Sequence, residues 1–336
     1  MGIDGLLVVD KPEGITSLGV VREVKRCLQA RKAGHIGTLD PFATGVLPIA
    51  INEGTKLVPF LEEGRKEYEG MLKLGEETST DDPTGEILSV KEWKGIPFKK
   101  IEAVFGDFLG KINQIPPMFS AVRVGGERLY RFARRGLEVD RKGREVEIFD
   151  LKIEGIDLPC LRFRVSCSKG TYVRTLARDI GRELGCGAHL VRLRRTRSGP
   201  FTLEQAIPWE SVKRGKGETF HPWLISLREA LPSFPEVVGD DALVKKARLG
   251  MRMAARDLAH RSLPAFTKGD WIKITTPEQG LIAILRSEVN GSEIGLTEPE
   301  RVVLRPVRLF HPSSGRDEKA KEECYGTGSR EEERDH

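Results

Sequence analysis

Several things are scarce in this chain. Its five cysteines (Cys27, Cys160, Cys167, Cys186 and Cys324) are odd in number and include no Cys-x-x-Cys pair. That argues against a disulfide framework and against a Cys-rich zinc site. The six histidines are scattered, with no His-x-x-x-His spacing, so no metal is expected. No apolar run approaches the roughly 18 residues that a membrane span needs. The opening MGIDGLLVVDKP has no basic stretch ahead of its short apolar run, unlike a secretory leader. Together these absences predict a cytoplasmic protein without a membrane partner.

What is present is charge. The 336 residues are 31% charged and 39% hydrophobic, ordinary values for a globular chain long enough for two domains. The net charge is +5, but the last 24 residues, Ser313 to His336, hold 5 Lys+Arg against 8 Asp+Glu. Residues 1–312 therefore hold 50 basic against 42 acidic residues, an excess of +8. Such an excess fits a polyanion partner, although many basic proteins have none.

Periodicity supplies the elements. DGLLVVDKP predicts a buried strand ended by Pro12. TSLGVVREVKRCLQ predicts a helix capped by Thr16 or Ser17, with Val20, Val24 and Cys27/Leu28 on one face. VLPIAI and KEYEGMLKLG predict strands, GTKLVPFLEEG a short helix and FKKIEAVFGDFLGK a longer one. In CLRFRVSCSKG, Leu161, Phe163, Val165 and Cys167 alternate with polar or basic residues, the clearest strand signal in the chain. TYVRTLARDIGREL carries a helical apolar stripe, and AHLVRLRRTRSGPF returns as a strand. The order predicts an α+β fold with a mixed or antiparallel sheet flanked by helices. Prolines thicken from Pro208 to Pro235, marking a junction near residue 238. Beyond it DWIKITTP, GLIAILRSEV, SEIGLTEP and RVVLRPVRLF predict a small β domain over 239–312. The charged tail, 313–336, lacks periodicity and is expected to be disordered.

Arginine is unevenly spread. Arg123, Arg128, Arg131, Arg134, Arg135, Arg141, Lys142 and Arg144 crowd a short span with Phe119, Tyr130 and Phe132 among them. VRLRRTR adds Arg192, Arg194, Arg195 and Arg197. The guanidinium fork suits phosphate and aromatic rings suit splayed-out bases, so both clusters are candidate RNA contacts. Each arginine alone fits a solvated face equally well.

One segment has no structural excuse. GHIGTLDPFATGVLPI places a single acid, Asp40, in a Gly- and Thr-rich loop just before a buried strand. Taken alone, Asp40 fits a turn, Tyr68 an interior strand and Arg174 an exposed helix face. Taken together with its neighbours, the segment resembles the catalytic motif of the TruB family of pseudouridine synthases. LLVVDKPEGITS resembles that family's KP motif, KEYEGMLKLG its tyrosine-bearing strand and IPPMFSAVR a loop of its RNA-gripping insertion. SKGTYVRTLARDIG and AHLVRLRRTRSGPF resemble its late motifs. The six segments keep the family's order over about residues 3–205.

The resemblance implies an isomerase that turns uridine 55 in the tRNA T loop into pseudouridine, with Asp40 as nucleophile. It implies that Tyr68 stacks on the target base, that Arg174 pairs with the carboxylate, and that Tyr172 and Leu193 line the pocket. His35 would help hold the flipped nucleotide and Lys11 would serve the KP motif beside it. Arg123 and Arg128, in the insertion over about 98–147, would contact RNA. It implies a catalytic domain over 1–238, a PUA-like RNA-binding domain over 239–312, and no cofactor. The near absence of residues before GLLVVDKP and the Ala43-Thr44-Gly45-Val46 run resemble the stand-alone branch, which implies a monomer with no obligatory protein partner. Two alternatives stay open: a guide-RNA-dependent synthase subunit, and a tRNA-binding or tRNA-folding protein with secondary catalysis.

Overall fold

A computed structural model describes residues 3–278 and 280–311; the tail expected to be disordered, 313–336, lies outside them. The first half supplies β1 (Gly5–Lys11), α1 (Ser17–Cys27), β2 (Ala33–His35), β3 (Thr44–Ile51), α2 (Val58–Leu61) and β4 (Lys66–Leu74). Next come β5 (Glu76–Thr78), β6 (Ile87–Val90), α3 (Phe98–Asp107), β7 (Gly110–Gln114), β8 (Arg123–Val124), β9 (Glu127–Arg128) and α4 (Leu129–Arg134). β10 (Arg144–Asp157), β11 (Cys160–Cys167), α5 (Val173–Glu183) and β12 (Ala188–Ser198) follow. The main sheet runs β1-β3-β12-β4-β11-β10-β7. It is mixed: β12 lies parallel to β3 and antiparallel to β4.

The apolar faces explain the layers. Val20, Val24 and Cys27 of α1, Ile101, Val104 and Phe105 of α3, and Leu176, Ala177 and Ile180 of α5 meet one core against the sheet. Thr16 caps α1 by accepting from the Gly19 amide, 3.0 Å away. On the other face Leu6, Val8, Val46 and Leu57 meet Leu281, Ile284 and Phe310 of the last domain, so the two domains share a dry contact.

That last domain is a five-stranded sheet with its own core, running from Glu236 to Leu309. It also holds a helix, Asp241–Arg248, capped by Asp240, which β-strand periodicity does not announce. SEIGLTEP, expected as a strand, is a 3-10 turn over Gly291–Leu296; Asn290 and Glu293 satisfy its first amides and so favour a turn. The long strand β10 was not anticipated either. Bulges at Ile148/Asp150 and Ile153/Gly155 break its alternation.

Of the span 98–147 assigned to an RNA-gripping insertion, α3 packs in the main core and β7 and β10 belong to the main sheet. The excursion away from the sheet runs over 115–143 and carries the small hairpin β8–β9.

Candidate active site

Asp40 stands on a loop whose backbone is tied at nearly every step. Ser17, at the start of α1, donates its hydroxyl to the Leu39 carbonyl and accepts from the Leu39 amide, both at 2.9 Å. The Gly14 amide donates to the Pro41 carbonyl at 2.8 Å. Lys11, at the end of β1, has no exposed surface. Its ammonium donates to the carbonyls of Pro12 (2.9 Å), Pro41 (3.1 Å) and Ala43 (2.5 Å). Arg195 donates to the carbonyls of Gly37 (3.0 Å) and Val46 (2.8 Å). A loop held this way loses little freedom when it is used, which is what a reacting group needs.

The glycines of the segment now have a reason. Gly37 and Gly45 have φ of +71° and +100°, which L side chains rarely adopt. A Cβ on Gly45 would lie 2.2 Å from the Arg195 carbonyl oxygen. The chain can pass β12 only where a side chain is missing.

Asp40 faces Arg174, the second residue of α5. The Arg174 Nε lies 2.9 Å from Oδ2 of Asp40, and the arginine is 3% exposed against 31% for the acid's side chain. The contact is at ion-pair distance but is not aligned as a hydrogen bond, since Nε has no directed acceptor. The rest of the fork is engaged: Nη1 reaches Thr80 O and Oδ2 of Asp82 (3.3 Å), and Nη2 donates to Phe119 O at 2.9 Å. Asp82 is itself held by Thr80 and Thr84. So Arg174 sits between two carboxylates and also grips the 115–143 excursion.

Burial pushes the Asp40 carboxyl above the ordinary aspartate range; Arg174 pulls it down, Asp82 pushes it up and Lys11 pulls it down. Protein surrounds the group on most sides, yet nearly a third of its side chain meets solvent, which softens the upward push. The guanidinium of Arg174 is the largest influence opposing that push and favours the charged form.

Tyr68 rises from β4, directly opposite Arg195 of β12 in one register and Val165 of β11 in the other. Burial pushes its phenol up, and Arg195 pulls the other way. Tyr172 precedes α5, its backbone clamped by the amide of buried Gln114 (2.7 and 3.1 Å). Burial raises its phenol as well. Leu193 is buried on β12, and its carbonyl accepts from Thr44 Oγ1 at 3.5 Å. His35, on β2, keeps an enclosed Nδ1 without a partner. Burial first, then Arg195, lowers its proton affinity below that of a free imidazole. Arg123 and Arg128 lie opposite each other on the exposed β8–β9 hairpin, away from these contacts.

One expectation is corrected. Arg195, grouped with Arg192, Arg194 and Arg197 as an RNA contact, is 1% exposed. Register shifts at Leu190/Arg192 and Arg195/Arg197 turn it inward. Arg194 and Arg197 are partly taken by Asp10 (2.8 Å) and Glu67 (3.3 Å). Sequence reasoning also missed Asp82, Gln114 and Ser17. Only Asp82 carried a signal: it repeats the Asp-Pro step of Asp40-Pro41 in another polar loop.

The chain matches two family models: TruB family pseudouridylate synthase, N-terminal domain, over 25–173, and tRNA pseudouridylate synthase B, C-terminal domain, over 174–225. It is 42% identical over 310 residues to a protein named tRNA pseudouridine synthase B from Geobacter sulfurreducens, covering 92% of this chain and 100% of that one. A protein of the same name from Geotalea uraniireducens is 52% identical over 212 residues, 63% of this chain and 68% of its own. Among solved structures, a Cbf5–Nop10–Gar1 complex is similar with a TM-score of 0.70 at 30% identity, covering 92% of this chain and 86% of that one.

Proposed function

The chain belongs to the TruB family of pseudouridylate synthases, and from that membership we propose that it isomerises uridine 55 in the T loop of tRNA. Asp40 is the nucleophile and the target base is turned out of the stack. The observation that carries this reading is the pair formed by Asp40 and buried Arg174 at the mouth of a rigid loop. Tyr68 and Tyr172, both within the electrostatic reach of Asp40, hold the base, with Leu193 and His35 as further pocket groups.

The reaction is an isomerisation. The bond from uracil N1 to ribose C1′ breaks and a bond from C5 to C1′ forms; C5 releases a proton and N1 takes one. Atoms and electrons balance without an oxidant, a reductant or a donated group. The protein must supply an ionised nucleophile that bonds to the nucleotide and lets go, much as a glycosidase carboxylate does at an anomeric carbon. Arg174 keeps Asp40 charged, and its off-axis contact leaves the carboxylate lone pairs free to attack. Turning the base out of a folded loop costs a few kcal/mol. Stacking on Tyr68 and hydrogen bonds to the uracil edge offset it. Arg123, Arg128 and the PUA-like domain over 239–312 position the RNA through phosphates rather than by reading sequence.

The relatives named tRNA pseudouridine synthase B support action on tRNA without an obligatory protein partner: they reach 41–52% identity, against 28–30% for the Cbf5 complexes. The test uses unmodified tRNA transcript, the purified protein and no other component. Pseudouridine is mapped by carbodiimide adduct and primer extension, with Asp40→Ala in parallel. A stop at the T-loop uridine with the wild type alone is expected. No stop with a folded, tRNA-binding wild type overturns the reading in favour of a guide-dependent or non-catalytic protein.

A further inference from the structure

Behind the Asp40 loop lie three enclosed cations: Lys11 (0% exposed), Lys66 (6%) and Arg195 (1%). Among the described residues none of them forms an ion pair with a carboxylate; main-chain carbonyls receive their hydrogen bonds, and Arg195 also reaches the side chain of Tyr68. Lys66 donates to Glu62 O and Gly64 O, Lys11 to three carbonyls on both sides of Asp40, and Arg195 to Gly37 O and Val46 O. Buried charges are normally paired with an opposite charge. Here three cations are enclosed at one place; carbonyl dipoles answer them directly, and Asp40 and Glu13 near Lys11, with Glu62 and Glu63 near Lys66, offset part of the charge from farther away. The charges feel one another: both lysines are lowered to about 8, chiefly by burial, with Arg195 adding to the effect.

Arg195 is the centre of this group. It stands where three strands meet: opposite Tyr68 of β4, opposite Gly45 of β3, and under the carbonyl of Gly37 at the loop's far end. Tyr68 has no carboxylate or lysine as its register partner on either side; Arg195 and Val165 flank it. Two of its fork nitrogens tie the loop through Val46 O and Gly37 O, and the guanidinium also reaches Tyr68. A preorganised charge aimed at the point where negative charge develops is worth most inside such a dry pocket.

We propose that Arg195 is a positioning residue for the isomerisation: its guanidinium fixes the Tyr68 phenol relative to the Asp40 loop and supplies the countercharge for negative charge developing at the phenol oxygen. This rests on Asp40 and Tyr68 belonging to the reacting centre. The phenol gives its proton to N1 as the N1–C1′ bond breaks, and the phenolate so formed takes the proton from C5 after the C5–C1′ bond has formed, which restores the phenol. Arg195 never touches the nucleotide and acts through Tyr68.

The test compares Arg195→Lys, Arg195→Met, Tyr68→Phe and Arg195→Lys/Tyr68→Phe in single-turnover pseudouridine formation from pH 6.5 to 9.5. Thermal melting and tRNA filter binding run alongside. Arg195→Met should keep tRNA affinity within about threefold while its rate falls at least about thirtyfold. Arg195→Lys should recover at least about fivefold of that loss and move the profile to higher pH, because a weaker donor leaves the phenol harder to ionise. On the Tyr68→Phe background, Arg195→Lys should add less than about a threefold further loss, the signature of residues acting as a unit.

A folded Arg195 variant with wild-type rate and pH profile overturns the proposal. So do losses that multiply with Tyr68→Phe, or a loss confined to tRNA affinity. If Arg195→Met fails to fold, Arg195→Lys decides alone, since it keeps the charge and can still reach one carbonyl. Full activity of Asp40→Ala and Tyr68→Phe would sink the site assignment itself, a result that no Arg195 variant produces.

Discussion

Replacing Arg174 with methionine tests the electrostatics of the site most directly. The change removes the one cation in contact with both Asp40 and Asp82, 2.9 and 3.3 Å from their Oδ2 atoms. An opposite charge at that range lowers a carboxyl by roughly 1–3 pH units. Without it, burial and Asp82 both push Asp40 upward. The acid side of the single-turnover profile should therefore move to higher pH by about 1–3 units, with a rate at pH 7 that climbs back as pH rises. Breaking a buried pair on one side also destabilises a fold by about 3–5 kcal/mol, so melting is followed in parallel and rates are taken well below the transition. Arg174→Lys retains a cation and should leave the limb nearer its wild-type position. A uniformly slow Arg174→Met with an unmoved acid limb would refute the idea that Arg174 acts by keeping Asp40 ionised.

Other outcomes follow from the same contacts. Wild-type stability relative to Asp40→Asn should fall as pH rises above the ordinary aspartate range, because a carboxyl whose folded proton affinity is raised opposes folding once ionised; a difference in melting that stays flat with pH contradicts that burial. Lys66, lowered from 10.5 to about 8, binds its proton more weakly folded than unfolded. Wild-type stability relative to Lys66→Met should therefore rise between about pH 8 and 10.5, by up to about 3 kcal/mol; a flat difference in urea titrations across that window contradicts the burial of its charge. Gly45→Ala should cripple folding, because its Cβ would meet the Arg195 carbonyl at 2.2 Å; a normally melting variant would mean that β3 and β12 can part. Affinity for tRNA, measured by filter binding, should fall by roughly a thousandfold between 50 and 200 mM salt if six or more phosphates are contacted; a flat response removes the basic clusters as the docking surface.

Much of this was legible in the chain, for reasons that differ by residue. The strands β4 and β11 alternate cleanly because one face of each packs on the helical core, and α1 shows its stripe because one face packs while the other meets solvent. The Asp40 loop could be picked out because an acid among glycines has no packing role. β10 was hidden because bulges shift its phase in mid-strand. Arg195 was misjudged because arginine in a basic run ordinarily points to solvent, and only the register of three strands turns it inward. Asp82 and Gln114 were missed because each reaches its partner, Arg174 or Tyr172, from far along the chain.

The ties on the Asp40 loop also set an order of events during synthesis. Lys11 and Ser17 lie close to the loop in sequence and can shape it as soon as it emerges. Arg195 is 149 and 158 residues beyond the carbonyls it grips. Arg174 joins by bonds to Thr80 and Asp82 that span 94 and 92 residues. A chain that stops short of β12 therefore holds Asp40 without the Arg195 clasp on its loop, and one that stops short of α5 lacks its Arg174 partner as well. The geometry around Asp40 is complete only once β12 has been laid down.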